Sequence, residues 1–61
     1  MNNENHTLVI LAYNNHSITK QNIKYLKQKY PKCPILLFDN GSNPSFEHFS
    51  QKMNINYYLM N

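Results

Sequence analysis

Three short apolar runs are the feature that most restricts what this chain can fold into. They occupy residues 7–13, 35–38 and 55–60. The runs are nearly continuous in hydrophobicity rather than alternating, which is typical of strands with both faces buried. Residues 17–30 have a helical pattern instead, with four side chains able to share one face: Ile18, Ile23, Leu26 and Tyr30.

The order of the elements indicates an α/β fold. A second, shorter helix is predicted for residues 45–52, so the chain has the order β-α-β-α-β, which favours a parallel sheet. If the strands lie in the order 3-2-1, right-handed crossovers place both helices on the same face. The opposite face would be apolar and uncovered. We therefore expect one incomplete domain over residues 7–61, preceded by a polar tail at residues 1–6, and expect further protein or an assembly to cover the open face.

Composition restricts the function classes. The 61 residues allow one domain, and the single cysteine, Cys33, excludes an internal disulfide. The start has no signal-peptide pattern and no run approaches the roughly 18 apolar residues of a membrane span, so a cytoplasmic location is expected. The net charge of +3 is that of six lysines against three acidic residues, and the chain has no arginine. The absence of arginine argues against a nucleic-acid partner, because arginine is the residue that makes bidentate contacts with phosphate and guanine. Peripheral contact with the inner face of a membrane stays open.

Two polar clusters follow the first two predicted strands. They are Tyr13-Asn14 and Asp39-Asn40-Gly41-Ser42. Ligands of doubly wound sheets bind at the carboxyl ends of the strands. An aromatic ring can stack on a base, and a carboxylate or carboxamide can bond a base edge or a ribose hydroxyl.

Plainer interpretations exist for the same residues. Asp39-Asn40-Gly41 is also a hairpin turn signal, although residues 42–50 lack the alternation of a return strand. Tyr13 fits an ordinary core or rim aromatic as well, and Asp39 fits a loop cap.

The ordered set of motifs resembles the opening of family-2 glycosyltransferases of the GT-A fold. In that family a hydrophobic strand ends in Tyr-Asn, a helix ends near Gln-x-Tyr-Pro, and the next strand ends in Asp-Asp-Gly-Ser or Asp-Asn-Gly-Ser. The matching segments are residues 8–14 (LVILAYN), 28–31 (QKYP), 35–42 (ILLFDNGS) and 55–61 (INYYLMN). The resemblance spans residues 7–61.

The resemblance implies a nucleotide-binding role without catalysis by this chain alone. Ala12, Tyr13 and Asn14 would line the nucleotide pocket, Asp39 and Asn40 would meet base and ribose, and Gly41 and Ser42 would shape the loop. Asn40 stands where many members have a second aspartate. The donor would be a UDP- or dTDP-sugar. The family's metal-binding Asp-x-Asp and catalytic base follow the third strand, so the Mg²⁺ or Mn²⁺ ion would be held outside these residues, and this chain would supply no catalytic or metal-binding residue.

Two other functions remain open from the sequence. One is a non-catalytic interaction module, for which self-association through the uncovered sheet face is an option. The other is a small nucleic-acid binder, whose binding would fall steeply with salt.

Overall fold

The computed structural model describes residues 6–60 and has the predicted element order. Strand β1 (Leu8–Ala12) leads to helix α1 (His16–Lys29), strand β2 (Ile35–Asp39), helix α2 (Glu47–Met53) and strand β3 (Asn56–Leu59). Each element lies within two residues of its predicted bounds. The described part of the predicted domain is thus a small α/β unit.

The three strands form one parallel sheet with β2 in the centre. Its order is β1-β2-β3, which is the predicted order 3-2-1 counted from the other edge. The register pairs Leu8 with Ile35 and Ala12 with Asp39 on one side of β2, and Asp39 with Leu59 on the other. Because paired residues of a sheet point to the same face, Ala12, Asp39 and Leu59 form one row at its carboxyl end.

Both helices pack on the same face of this sheet, as the crossover argument predicts. Ile23 of α1 and Phe46, which precedes α2, are fully buried against Ile35 and Leu37 of the central strand. Several half-buried side chains complete this core: Leu8, Ile10, Leu26, Phe49, Met53, Ile55 and Tyr57. The core is therefore one layer of side chains between the sheet and the two helices.

The predicted apolar face of α1 is wrong at one position. Ile23 is buried and Leu26 packs beside it, but Ile18 is 63% exposed. The spacing of five explains this, because five residues of an α-helix turn a side chain about 140° away from the first. Asn15 is the N-cap, in left-handed backbone geometry with φ 49°, and its side chain makes no capping hydrogen bond.

The second face of the sheet is uncovered among residues 6–60. Its strand positions form two rows, Val9–Leu36–Asn56 and Leu11–Phe38–Tyr58, which we call the bare face. Leu11 is 72% exposed, and the rings of Phe38 and Tyr58 stack with centroids 5.1 Å apart. This confirms the expected one-sided helix layer. None of the helices in this part of the chain is long and apolar enough to cross a bilayer.

Candidate functional site at the carboxyl edge of the sheet

The loops that follow β1 and β2 lie side by side at the carboxyl edge of the sheet. The backbone N–H of Asn40 donates to the carbonyl of Ala12 over 2.8 Å, which extends the strand pairing by one residue. The N–H of Asn14 then donates to the Ser42 hydroxyl over 2.7 Å, and the N–H of Asn43 donates to the Asn14 side-chain oxygen over 3.0 Å. These bonds join the two sequence-predicted clusters into one surface.

Left-handed backbone geometry shapes both loops. Asn14 and Asn15 have φ of 54° and 49°, and Gly41 has φ of 78°. Asparagine tolerates this region better than most residues, and glycine enters it without steric cost. A Cβ added at Gly41 would meet nothing within 4 Å, so the glycine is needed for its backbone angle and not for space.

A stacked histidine makes a second link between the loops. The His16 ring lies over Phe46, with centroids 4.7 Å apart and planes 20° from parallel. Its Nε2 lies 2.7 Å from the Pro44 carbonyl, which can only accept, so the ring nitrogen donates. The start of α1 is thereby fastened to the segment that leads into α2.

Asp39 lies beneath the second loop with none of its surface exposed. Its Oδ1 accepts the Ser42 N–H at 2.9 Å, and its Oδ2 accepts the Phe46 N–H at 3.1 Å and the Tyr57 hydroxyl at 2.8 Å. The carboxylate therefore spans the loop from one end to the other. A buried carboxylate needs such donors to stay ionised.

The hydrogen bonds outweigh burial in setting the acidity of Asp39. Burial alone raises the pKa of this carboxyl, but donors from Ser42, Phe46 and Tyr57 lower it, and the net pKa is below its ordinary value. For Tyr57, burial and the bond to the Asp39 carboxylate raise the pKa of the phenol. Both shifts stabilise a charged Asp39 beside a neutral Tyr57.

The seven predicted site residues divide into three groups by exposure. Ala12, Asp39 and Ser42 are buried, so they form the floor of the carboxyl edge. Asn14 is half-buried, and three residues are open to solvent: Tyr13, Asn40 and Gly41. Tyr13 is 61% exposed, which is inconsistent with a core aromatic and compatible with both a site residue and a rim aromatic. Asp39 has the geometry of the loop-cap alternative.

The sequence did not indicate three residues of this edge. His16, Phe46 and Tyr57 all take part in the bonds and ring contacts that join its segments. The strand register of the folded chain explains the Tyr57 contact. Tyr57 points to the same face as Asp39 and lies two residues before Leu59, the residue paired with Asp39, a diagonal that a long phenol can span.

The described residues offer no obvious metal centre. Within residues 6–60, no cluster of three or more histidine, cysteine, aspartate or glutamate side chains could hold a metal ion. The polar groups of the carboxyl edge are amides, hydroxyls, a phenol and one fully hydrogen-bonded carboxylate. They suit hydrogen bonding and stacking with an organic ligand.

Comparisons with known proteins add no family to this description. No family model matches the chain, and neither the curated proteins nor the solved structures contain a significant match.

Proposed function

We propose that this chain is the nucleotide-binding portion of a nucleotide-sugar-dependent glycosyltransferase of the GT-A type. Such an enzyme moves a sugar from a UDP- or dTDP-sugar to an acceptor hydroxyl. One observation supports this most directly: an exposed Tyr13 and an exposed Asn40 lie on two loops that hydrogen bonds join at the carboxyl edge of a parallel sheet. That edge is where α/β sheets bind nucleotides.

The proposed contacts follow from what each residue exposes. The Tyr13 ring offers a stacking surface for a base. The Asn40 carboxamide offers both a donor and an acceptor for a base edge or ribose, and Asn14 has a carboxamide nitrogen for the same purpose. Gly41 has no side chain, so a ligand can approach its backbone closely.

The remaining parts of the reaction lie outside the described residues in this proposal. A divalent Mg²⁺ or Mn²⁺ ion, held by a later segment of the full-length enzyme, would neutralise the diphosphate leaving group. The acceptor and the catalytic base would also be bound there. We therefore propose that the 61-residue chain binds nucleotide and transfers no sugar.

A nucleotide titration tests the proposal. Amide spectra of the isotope-labelled chain are recorded with UDP and with dTDP. We expect shifts confined to residues 12–14 and 39–43. Removing the stacking surface with Tyr13→Ala should weaken binding at least fivefold, since base stacking contributes about 1–3 kcal/mol.

The matched control is Tyr25→Ala on α1. Tyr25 is 55% exposed, close to the value for Tyr13, but it lies away from the carboxyl edge. Its loss should leave nucleotide affinity unchanged. If neither nucleotide shifts the edge residues, or if both tyrosine variants weaken binding equally, the nucleotide-binding proposal is wrong.

The bare face favours a second candidate, a non-catalytic interaction module that pairs with its own copy. None of the strand positions on this face is charged, so two copies can meet there without repulsion despite the net charge of +3. Large exposed apolar patches generally mark interaction surfaces. A chain that associates through this face and ignores nucleotides would support this candidate over the first.

A further inference from the structure

A phenol–carboxylate pair, in which Asp39 is buried and Tyr57 half-buried, links the third strand to the carboxyl edge. The Tyr57 hydroxyl lies 2.8 Å from Asp39 Oδ2, and the same carboxylate accepts the backbone N–H groups of Ser42 and Phe46. The Ser42 hydroxyl in turn accepts the N–H of Asn14. A continuous series of hydrogen bonds thus runs from β3 through β2 to the loop after β1.

We propose that Tyr57 is a positioning residue for nucleotide binding, acting through Asp39 on the loop that presents Asn40 and Gly41. This inference rests on the proposed function. It assigns Asp39 a place under the ligand and not against it, since the carboxylate has no exposed surface and its oxygens are already occupied by donors from Ser42, Phe46 and Tyr57.

The geometry explains why the loop needs this support. Between its two bonds to Asp39, at Ser42 and Phe46, the backbone includes Asn43, Pro44 and Ser45, all of which are exposed. Exposed segments have few packing contacts to hold them, so hydrogen bonds must hold this one. The Asp39 carboxylate does so at Ser42 and Phe46, beside the bonds that tie Asn43 to Asn14 and Pro44 to His16. The Tyr57 hydroxyl keeps that carboxylate in place, because without it Oδ2 would have one donor fewer.

The ring and the hydroxyl of Tyr57 have separable roles. The ring packs against the core formed by Ile35, Leu37 and Phe46. Tyr57→Phe therefore keeps the packing and removes only the donor. Tyr58→Phe is the matched control, because Tyr58 is the next residue of the same strand and its side chain lies on the bare face.

The experiment measures three quantities on each variant. With Tyr57→Phe we expect UDP or dTDP to bind about three- to tenfold more weakly, the range of a typical single hydrogen bond, because the lost bond acts on the ligand only through the loop. The amides of Asn14 and Ser42 should exchange with solvent faster, and the Asp39 carboxyl, followed by carbon NMR, should titrate at higher pH. Tyr58→Phe should change none of the three.

A second control separates positioning from stability. Ile35→Val removes one methylene group from a buried position and should lower the free energy of unfolding by about 0.5–1.5 kcal/mol. It should leave nucleotide affinity and the Asp39 titration unchanged. If Tyr57→Phe behaves like Ile35→Val, with stability lowered and both of those readouts unchanged, the inference is overturned.

The two proposals can fail separately. If the unmodified chain binds neither nucleotide, the proposed function is overturned and so is the nucleotide part of this inference. The effect of Tyr57 on the loop is still decided in that case: faster exchange at Ser42 with a raised Asp39 titration supports it, and unchanged values overturn it.

Discussion

Asp39 and Tyr57 couple the stability of this small fold to pH. In the folded chain the pKa of Asp39 lies below its ordinary value, and the pKa of Tyr57 lies above its ordinary value. An unfolded chain therefore takes up a proton at Asp39 first as the pH falls, and releases the Tyr57 proton first as the pH rises. The pair contributes its full stabilisation between these limits.

We expect the free energy of unfolding to fall on both sides of this window. It should decrease as the pH drops below about 4, towards the folded pKa of Asp39, and as it rises above about 10, the ordinary pKa of tyrosine. Urea denaturation measures this when it is repeated at intervals of about one pH unit from pH 2.5 to 11.

Substitutions show which group causes the loss of stability at each end of this pH window. Asp39→Asn should flatten the acid side, and Tyr57→Phe should flatten part of the alkaline side. Glu47→Gln is the acid control, since Glu47 is exposed on α2. An acid slope that survives in Asp39→Asn would show that other carboxyls cause it.

Helix α1 shows at the scale of one element how burial divides a helical pattern. Ile23 has none of its surface exposed and Ile18 has 63%. Ile23→Ala should lower the free energy of unfolding by about 2–5 kcal/mol, because it leaves a cavity between helix and sheet. Ile18→Ala should change it by less than about 0.5 kcal/mol. Equal losses in urea denaturation would place both side chains in the core and contradict the exposure of Ile18.

The elements were predictable from the sequence because their patterns are local. Continuous apolar runs and turn residues fixed the three strands, and Pro31 marks where α1 has ended. The error at Ile18 came from assigning a residue to a face across a spacing of five. The parallel order followed from connection rules, so it needed no knowledge of side-chain contacts.

The carboxyl edge was predictable in position but not in detail. Tyr13 and Asn40 were predicted as site residues because they stand at the ends of the first two predicted strands, and both are exposed at the carboxyl edge. The burial of Asp39 depends on three donors, two of which, Phe46 and Tyr57, are seven and eighteen residues away. Hydrogen bonds at such separations leave no periodic signal in a sequence, so the brace under the loop became visible only in the folded chain.

The bare face determines the expected behaviour of the whole molecule in solution. A 61-residue chain with a one-sided core has little stability to spare, and burying Leu11, Phe38 and Tyr58 against a second copy would add to it. Stable interfaces bury about 800 Å² on each partner. A face of three short strands measures roughly 15 Å on each side, so it offers less than this. The association should therefore be weak.

Weak association makes the melting temperature depend on protein concentration, because only the folded chain presents the bare face. We expect the melting temperature to rise by a few degrees between about 20 μM and 1 mM, with a parallel rise in average mass by sedimentation equilibrium. Leu11→Ser should abolish both effects.

Ile18→Ser is the matched control. Ile18 is similarly exposed, but it belongs to α1, the helix that covers the opposite face of the sheet. If Ile18→Ser removes the concentration dependence as well, its cause is nonspecific association through exposed apolar side chains and not the bare face. If the unmodified chain melts at one temperature over the whole range, its sheet face does not associate, and the interaction-module candidate loses its support.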